Sequence, residues 1–192
     1  RRLACTEAAG ITWSLRPLTP GNRRLPIPDC NGEIDMEPDT ILEVERQFDV
    51  PRSVLFRAFT EPKALAQWFA PDGWHVVPES VELDPKLGGR LRHTKTRDDD
   101  PSRIWVVDGL YTEVFYPDVL VTKQRISGIP GIDPAKPVEL RVEFTRLGHG
   151  KTLLRIVQGP YTSGAAQDYS DGWESILNHL QKYLDATQSV SS

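Results

Sequence analysis

The sequence predicts an α+β fold: a curved antiparallel sheet covered by one long C-terminal helix. In the segment from Asp168 to Ala186, Trp173, Ile176, Leu177, Leu180 and Leu184 recur at three- and four-residue steps, which stacks them in one stripe along a helix. At 1.5 Å per residue that segment spans roughly 28 Å, enough to cross a small domain, and a single apolar stripe of this length needs a broad partner surface. The remainder of the chain supplies one, because it reads mostly as short alternating strands joined by tight turns, the pattern of an antiparallel meander.

Thr40 to Phe48 alternates, with Leu42, Val44 and Phe48 on one side and Glu43, Glu45 and Gln47 on the other, as a half-buried strand does. Pro51 opens a short helix that places Val54, Leu55, Ala58 and Phe59 on one face. Thr60 with Pro62 starts a second, with Leu65, Trp68 and Phe69 as its buried side, and Pro71-Asp72-Gly73 ends it. Strands are then expected over 80–84, 89–96, 104–114, 119–126, 138–146 and 151–158, separated by turn signals such as Gly88-Gly89, Tyr116-Pro117-Asp118 and Leu147-Gly148-His149-Gly150. About six to seven strands therefore face the helix. Asp168, Ser170 and Asp171 are its expected N-terminal caps and first-turn charges, and Lys182 the cation matching its C-terminal dipole.

Residues 1–35 hold both cysteines and five arginines and are expected to form a poorly ordered extension without strand or helix period. Met36, the only methionine, is read as the natural start, ahead of a single domain over 36–192. Of the 23 basic and 27 acidic residues, five and four lie in the extension, so the domain carries 18 against 23. That balance argues against nucleic acid as the main partner. No apolar run approaches the length of a membrane span, which excludes a membrane partner of that kind. Cys5 and Cys30 make no disulfide framework, and the cytoplasm is the expected compartment. No cofactor or metal is expected. Glycine-rich phosphate loops, nucleophile elbows and paired-histidine zinc motifs are missing from the sequence, and Asp98-Asp99-Asp100 lacks the spacing of a calcium loop.

Several stretches together carry a family resemblance. They are Phe48-Asp49-Val50-Pro51, Phe56-Arg57-Ala58-Phe59-Thr60-Glu61-Pro62, Leu65-Ala66-Gln67-Trp68-Phe69, Leu87-Gly88-Gly89-Arg90, Gly109-Leu110-Tyr111 with Pro117 and Leu120, and Gly172-Trp173 with Leu177, Leu180 and Leu184. In this order and spacing they resemble the SRPBCC superfamily, specifically homologues of the C-terminal domain of the heat-shock protein 90 ATPase activator, over residues 38–186. The resemblance implies the helix-grip, START-like fold, with a cavity between the sheet and the long helix. It implies no single activity, since the superfamily includes lipid carriers, cyclases, hormone receptors and chaperone regulators.

Alternation from Leu91 puts His93 and Lys95 on the side of that leucine, so an imidazole and an amine face the expected cavity. A lysine there can bind a ligand carboxylate or act, with a lowered pKa, as a base or amine nucleophile. The ordinary alternative is a lysine whose stem carries its ammonium to water and a histidine that is simply hydrogen-bonded. The expected lining of the ligand pocket is Trp68, Leu91, His93, Lys95, Trp105, Tyr111, Phe144, Gln158, Trp173 and Leu177, although each aromatic taken singly is better read as part of a close-packed core.

Three functions stay open. The favoured one is a module that binds a small apolar or amphipathic ligand. The second is an enzyme of cyclase, dehydratase or hydrolase type using Lys95 and His93. The third, suggested by the family name alone, is a chaperone ATPase regulator with a chaperone partner, which calls for an exposed apolar patch. Sheet edges also leave room for a homodimer.

Overall fold

The structure is a computed structural model that describes residues 4–8, 11–17, 40–129, 132–161 and 163–189, with the backbone alone described over 4–8, 11–17 and 163–171. Its ten strands are β1 (Ala4–Ala8), β2 (Ile11–Pro17), β3 (Thr40–Phe48), β4 (Trp74–Val76), β5 (Glu82–Leu83), β6 (Arg90–Arg97), β7 (Ile104–Phe115), β8 (Val119–Ser127), β9 (Val138–Gly148) and β10 (Lys151–Tyr161). They form one curled antiparallel sheet in the order β1-β2-β3-β10-β9-β8-β7-β6-β4, with β5 also on β6. Helices α1 (Arg52–Thr60) and α2 (Pro62–Trp68) follow β3, and α3 (Ser163–Ser189) closes the chain.

The α+β fold, the two short helices after the first strand of the domain and the long C-terminal helix are as expected from the sequence. Period-2 patterning does what physics asks of it: Leu42, Val44, Leu140, Val142, Phe144, Leu154 and Ile156 all turn inward and are buried. From the helix, Trp173, Ile176, Leu177, Leu180 and Leu184 meet them. One end of the interior is filled by aromatic rings. Phe144 lies 5.6 Å from Phe56 and 5.5 Å from Phe59, and Phe59 lies 4.7 Å from Trp68, centroid to centroid. Pro62 opens α2 and so breaks the two short helices apart. The Gly88-Gly89 turn is fixed by geometry: Gly88 has φ +76°, and a Cβ on Gly89 would fall 1.9 Å from the Asp84 carbonyl oxygen. This turn sets where β6 begins.

Three expectations need correction. Residues 1–35 were expected to hold no regular element, yet β1 and β2 lie within them, and β2 pairs with β3 from Ile11 opposite Arg46 to Pro17 opposite Thr40. An unpaired strand edge is a row of open hydrogen-bonding groups, and β2 satisfies it. Met36, Cys30 and the rest of 18–39 lie outside the described residues. Secondly, α3 starts at Ser163, so Asp168, Ser170 and Asp171 are inside the helix and do not cap it; the alanines and glutamine at 165–167 are good helix formers and carry it further back. Lys182 stands about two turns before the helix end, too far to match the dipole. Thirdly, β4 was not foreseen, because three residues are too few to show a period. No helix among the described residues is long and apolar enough to cross a membrane.

Leu177 is fully buried between helix and sheet, whereas Lys182 is exposed. Leu177→Ala is expected to lower the unfolding free energy by about 2–5 kcal/mol in urea titrations, while Lys182→Ala stays within about 0.5 kcal/mol.

Candidate functional site

Away from the aromatic cluster, sheet and helix separate around a cavity of about 290 Å³. Its floor is built from strand positions that share the inner face: His93 and Lys95 of β6, Trp105 and Val107 of β7, Gln124 and Ile126 of β8, Leu140 of β9 and Gln158 of β10. Trp173 and Ile176 of α3 roof it, Phe69 and Trp74 form a side wall, and Asp72 and Arg103 stand at its margin. Antiparallel register places Lys95 opposite Trp105 and His93 opposite Val107, so the polar side chains are held against apolar cross-strand neighbours.

The sequence expectation of a lysine reaching for water fails here: Lys95 is 2% exposed. Its Nζ sits 4.2 Å from the centroid of the Trp105 ring and 4.6 Å from that of Phe69. Ring faces attract a cation, yet burial away from water favours the neutral amine more strongly, and it brings the Lys95 pKa down to about 7. Among the described residues no carboxylate pairs with this amine. His93 is 1% exposed, its ring meets Phe69 edge-on at 5.3 Å, and its Nδ1 has no hydrogen-bond partner among the described residues. Burial, and then the neighbouring Lys95, hold its pKa well below the usual imidazole value, so the ring is neutral near pH 7.

Trp173 Nε1 donates a 2.7 Å hydrogen bond to Gln158 Oε1, which ties the roof to the floor. Gln124 Nε2 donates to Thr122 Oγ1 at 2.7 Å. The margin is tied to α3 as well. The Asp72 backbone N–H donates to Ser175 Oγ at 2.7 Å, His179 Nδ1 lies 2.8 Å from the Ala70 carbonyl, and His179 Nε2 lies 3.0 Å from the Asp72 carboxylate. The sequence showed no partner for His179, because both of its partners are more than a hundred residues away.

Of the expected lining, His93, Lys95, Trp105, Gln158 and Trp173 come together in this cavity. Leu91 and Tyr111 border a separate void of about 20 Å³ beside it. The Tyr111 hydroxyl has no hydrogen-bond partner among the described residues, and burial, with Asp84 adding to it, pushes its pKa up. Phe144 and Leu177 are packed into the core, and Trp68 donates its indole N–H to the Ala58 carbonyl at 3.2 Å while its ring borders an outer groove between α2 and α3. Sequence reasoning missed Gln124, although its signal was present: Leu120, Thr122, Gln124 and Ile126 share one strand face, and a glutamine on an apolar face marks a place where something polar is met. The Asp98–Asp100 run is taken up locally, by His75 at 2.6 Å, Arg97 at 2.5 Å and Ser102 at 2.6 Å.

A curled antiparallel sheet gripping a long helix, with a cavity between them, defines a helix-grip, START-like protein. A family model described as "Activator of Hsp90 ATPase homolog 1-like protein" matches residues 49–185, and the chain belongs to that family, within the SRPBCC superfamily. Solved structures agree on the fold. The AHSA1 protein from Silicibacter pomeroyi is 20% identical with a TM-score of 0.66, over 77% of this chain and 99% of that one. A protein from Chromobacterium violaceum is 22% identical with a TM-score of 0.64, over 74% and 95%. An HSP90 activator from Plasmodium falciparum is 20% identical with a TM-score of 0.55, over 76% and 96%. No curated protein matches the chain.

Because the folded Lys95 amine titrates near 7 and an unfolded lysine near 10.5, the unfolded chain binds more protons at this site between those values. The cost of burying the ammonium is thus fully present below about pH 7 and fades as pH rises toward 10.5. Lys95→Met is expected to be more stable than the parent near pH 6, by on the order of 3–5 kcal/mol, with the gap narrowing steadily in urea titrations at higher pH.

Proposed function

We propose that the protein is a small-molecule-binding module whose ligand lies between the sheet and α3. The observation that carries this reading is the cavity itself: about 290 Å³, walled by Phe69, Trp74, Trp105, Ile126 and Trp173, with a few convergent polar groups from Lys95, His93, Gln124 and Gln158. Ligand sites have this make-up, mostly apolar with a small number of placed polar atoms, and the volume suits a small ligand. The apolar walls supply affinity for hydrocarbon or an aromatic ring, and the amine and amides fix the orientation of a polar end. The ligand is therefore amphipathic in a definite sense, with a ring or short chain against the tryptophans and a polar end toward β6.

A second reading has one observation in its favour. Phe115 and Tyr116 are both 65% exposed at the turn after β7, an apolar patch of the kind a chaperone-regulator role requires, and the Plasmodium falciparum neighbour is named as an HSP90 activator. That patch lies outside the cavity, so the two readings make separate demands on the molecule.

Native mass spectrometry of protein purified from its own host, compared with the denatured mass, separates them. The binding module is expected to carry a reproducible excess mass of one small organic molecule, lost on denaturation. A folded protein with no excess mass, whose tryptophan fluorescence also ignores small aromatic probes, overturns the reading and leaves the exposed patch as the functional surface.

A further inference from the structure

We propose that the cavity captures aldehydes and ketones covalently, with the Lys95 amine condensing on the ligand carbonyl to form an imine, a proposal that rests on the ligand-binding reading above. An amine that recognises a carboxylate is best served by an arginine beside it, and the arginine that lines this cavity, Arg103, is exposed at its margin. Here Nζ is flanked instead by two ring faces, Trp105 at 4.2 Å and Phe69 at 4.6 Å, with Val107 and Ile126 nearby on the floor. That surrounding suits each stage of condensation. In the first, the Nζ lone pair attacks the carbonyl carbon, forming the C–N bond while the carbonyl π pair moves to oxygen. A proton then passes from nitrogen to that oxygen, giving a carbinolamine. In the second, the C–O bond breaks as the oxygen takes up a proton supplied by solvent and leaves as water, and the nitrogen lone pair closes the C=N bond, giving the protonated imine. No oxidant or reductant takes part.

The positive charge of the protonated imine would replace that of the ammonium over the same two ring faces, which attract cations of either kind. The apolar walls limit the water available to reverse the step. The proton transfers have a candidate in His93. It lies two residues from Lys95 on the same strand face, about 7 Å along the strand, neutral and with Nδ1 unpartnered among the described residues. It is a positioning and relay residue, whereas Lys95 is the nucleophile. Gln158, whose side-chain oxygen accepts from Trp173, brings its amide to the same cavity.

The test uses the full chain with benzaldehyde and sodium cyanoborohydride near pH 7. Hydride reduces only an imine, and the product is a benzylated lysine, heavier by the aldehyde plus two hydrogens less one water. Peptide mapping is expected to find it on Lys95 at least tenfold faster than on any exposed lysine, because an ordinary lysine near 10.4 is almost wholly protonated at this pH. Lys95→Met is expected to remove this product while benzaldehyde still quenches the tryptophan fluorescence, and Lys95→Arg serves as a second, still cationic variant. His93→Gln should slow labelling by a larger factor than it weakens quenching. Quenching without preferential labelling of Lys95 overturns the imine and leaves the binding reading standing. Neither quenching nor labelling overturns both.

Discussion

The register of β6 on β7 determines where the amine of Lys95 can go. Its backbone is paired opposite Trp105 in the interior of the sheet, its side chain points to the concave face, and α3 lies across that face. A lysine so placed cannot carry its ammonium to water, as it does at most strand positions. Everything chemical about the cavity follows from that restriction. The amine is lowered to about 7, the neighbouring imidazole is held neutral, and ring faces stand where a carboxylate would ordinarily be found.

The cavity exists because the helix packs unevenly. Toward its C-terminal half, Leu177, Leu180 and Leu184 enter the sheet and leave no room, and the aromatic group of Phe56, Phe59, Trp68 and Phe144 fills the adjoining end. Toward Trp173 and Ile176 the facing strands carry His93, Lys95, Gln124 and Gln158, which do not interdigitate with a helix as branched aliphatics do. The Trp173–Gln158 hydrogen bond and the ties from Ser175 and His179 to the 70–72 loop then hold the roof at that distance. Close packing at one end stabilises the fold, and its relaxation at the other creates the site.

Much of this was legible in the residues. Period-2 strands such as Val138 to Arg146, the apolar stripe of the helix and the turn chemistry between them are local signals, and they led directly to the architecture. The inward placement of His93 and Lys95 also followed from alternation beginning at Leu91. What was not legible depended on distance. Whether Trp105 lines a cavity or a core rests on pairing with β6, and the separation of Phe144 and Leu177 from the site rests on how the helix tilts on the sheet. The N-terminal strand β2 was missed for a different reason: Ile11, Trp13 and Leu15 do alternate with Thr12, Ser14 and Arg16, but the surrounding prolines and arginines obscured so short a pattern.

The central claim is that a lysine amine is held away from water inside the cavity. Its most direct measurement is an NMR titration of the Lys95 side chain in isotope-labelled protein, assigned by its loss in Lys95→Met. A midpoint lowered to about 7 is the result this account predicts. A midpoint above about 10, the ordinary value for lysine in water, would mean that the amine reaches solvent and that the cavity chemistry described above does not exist.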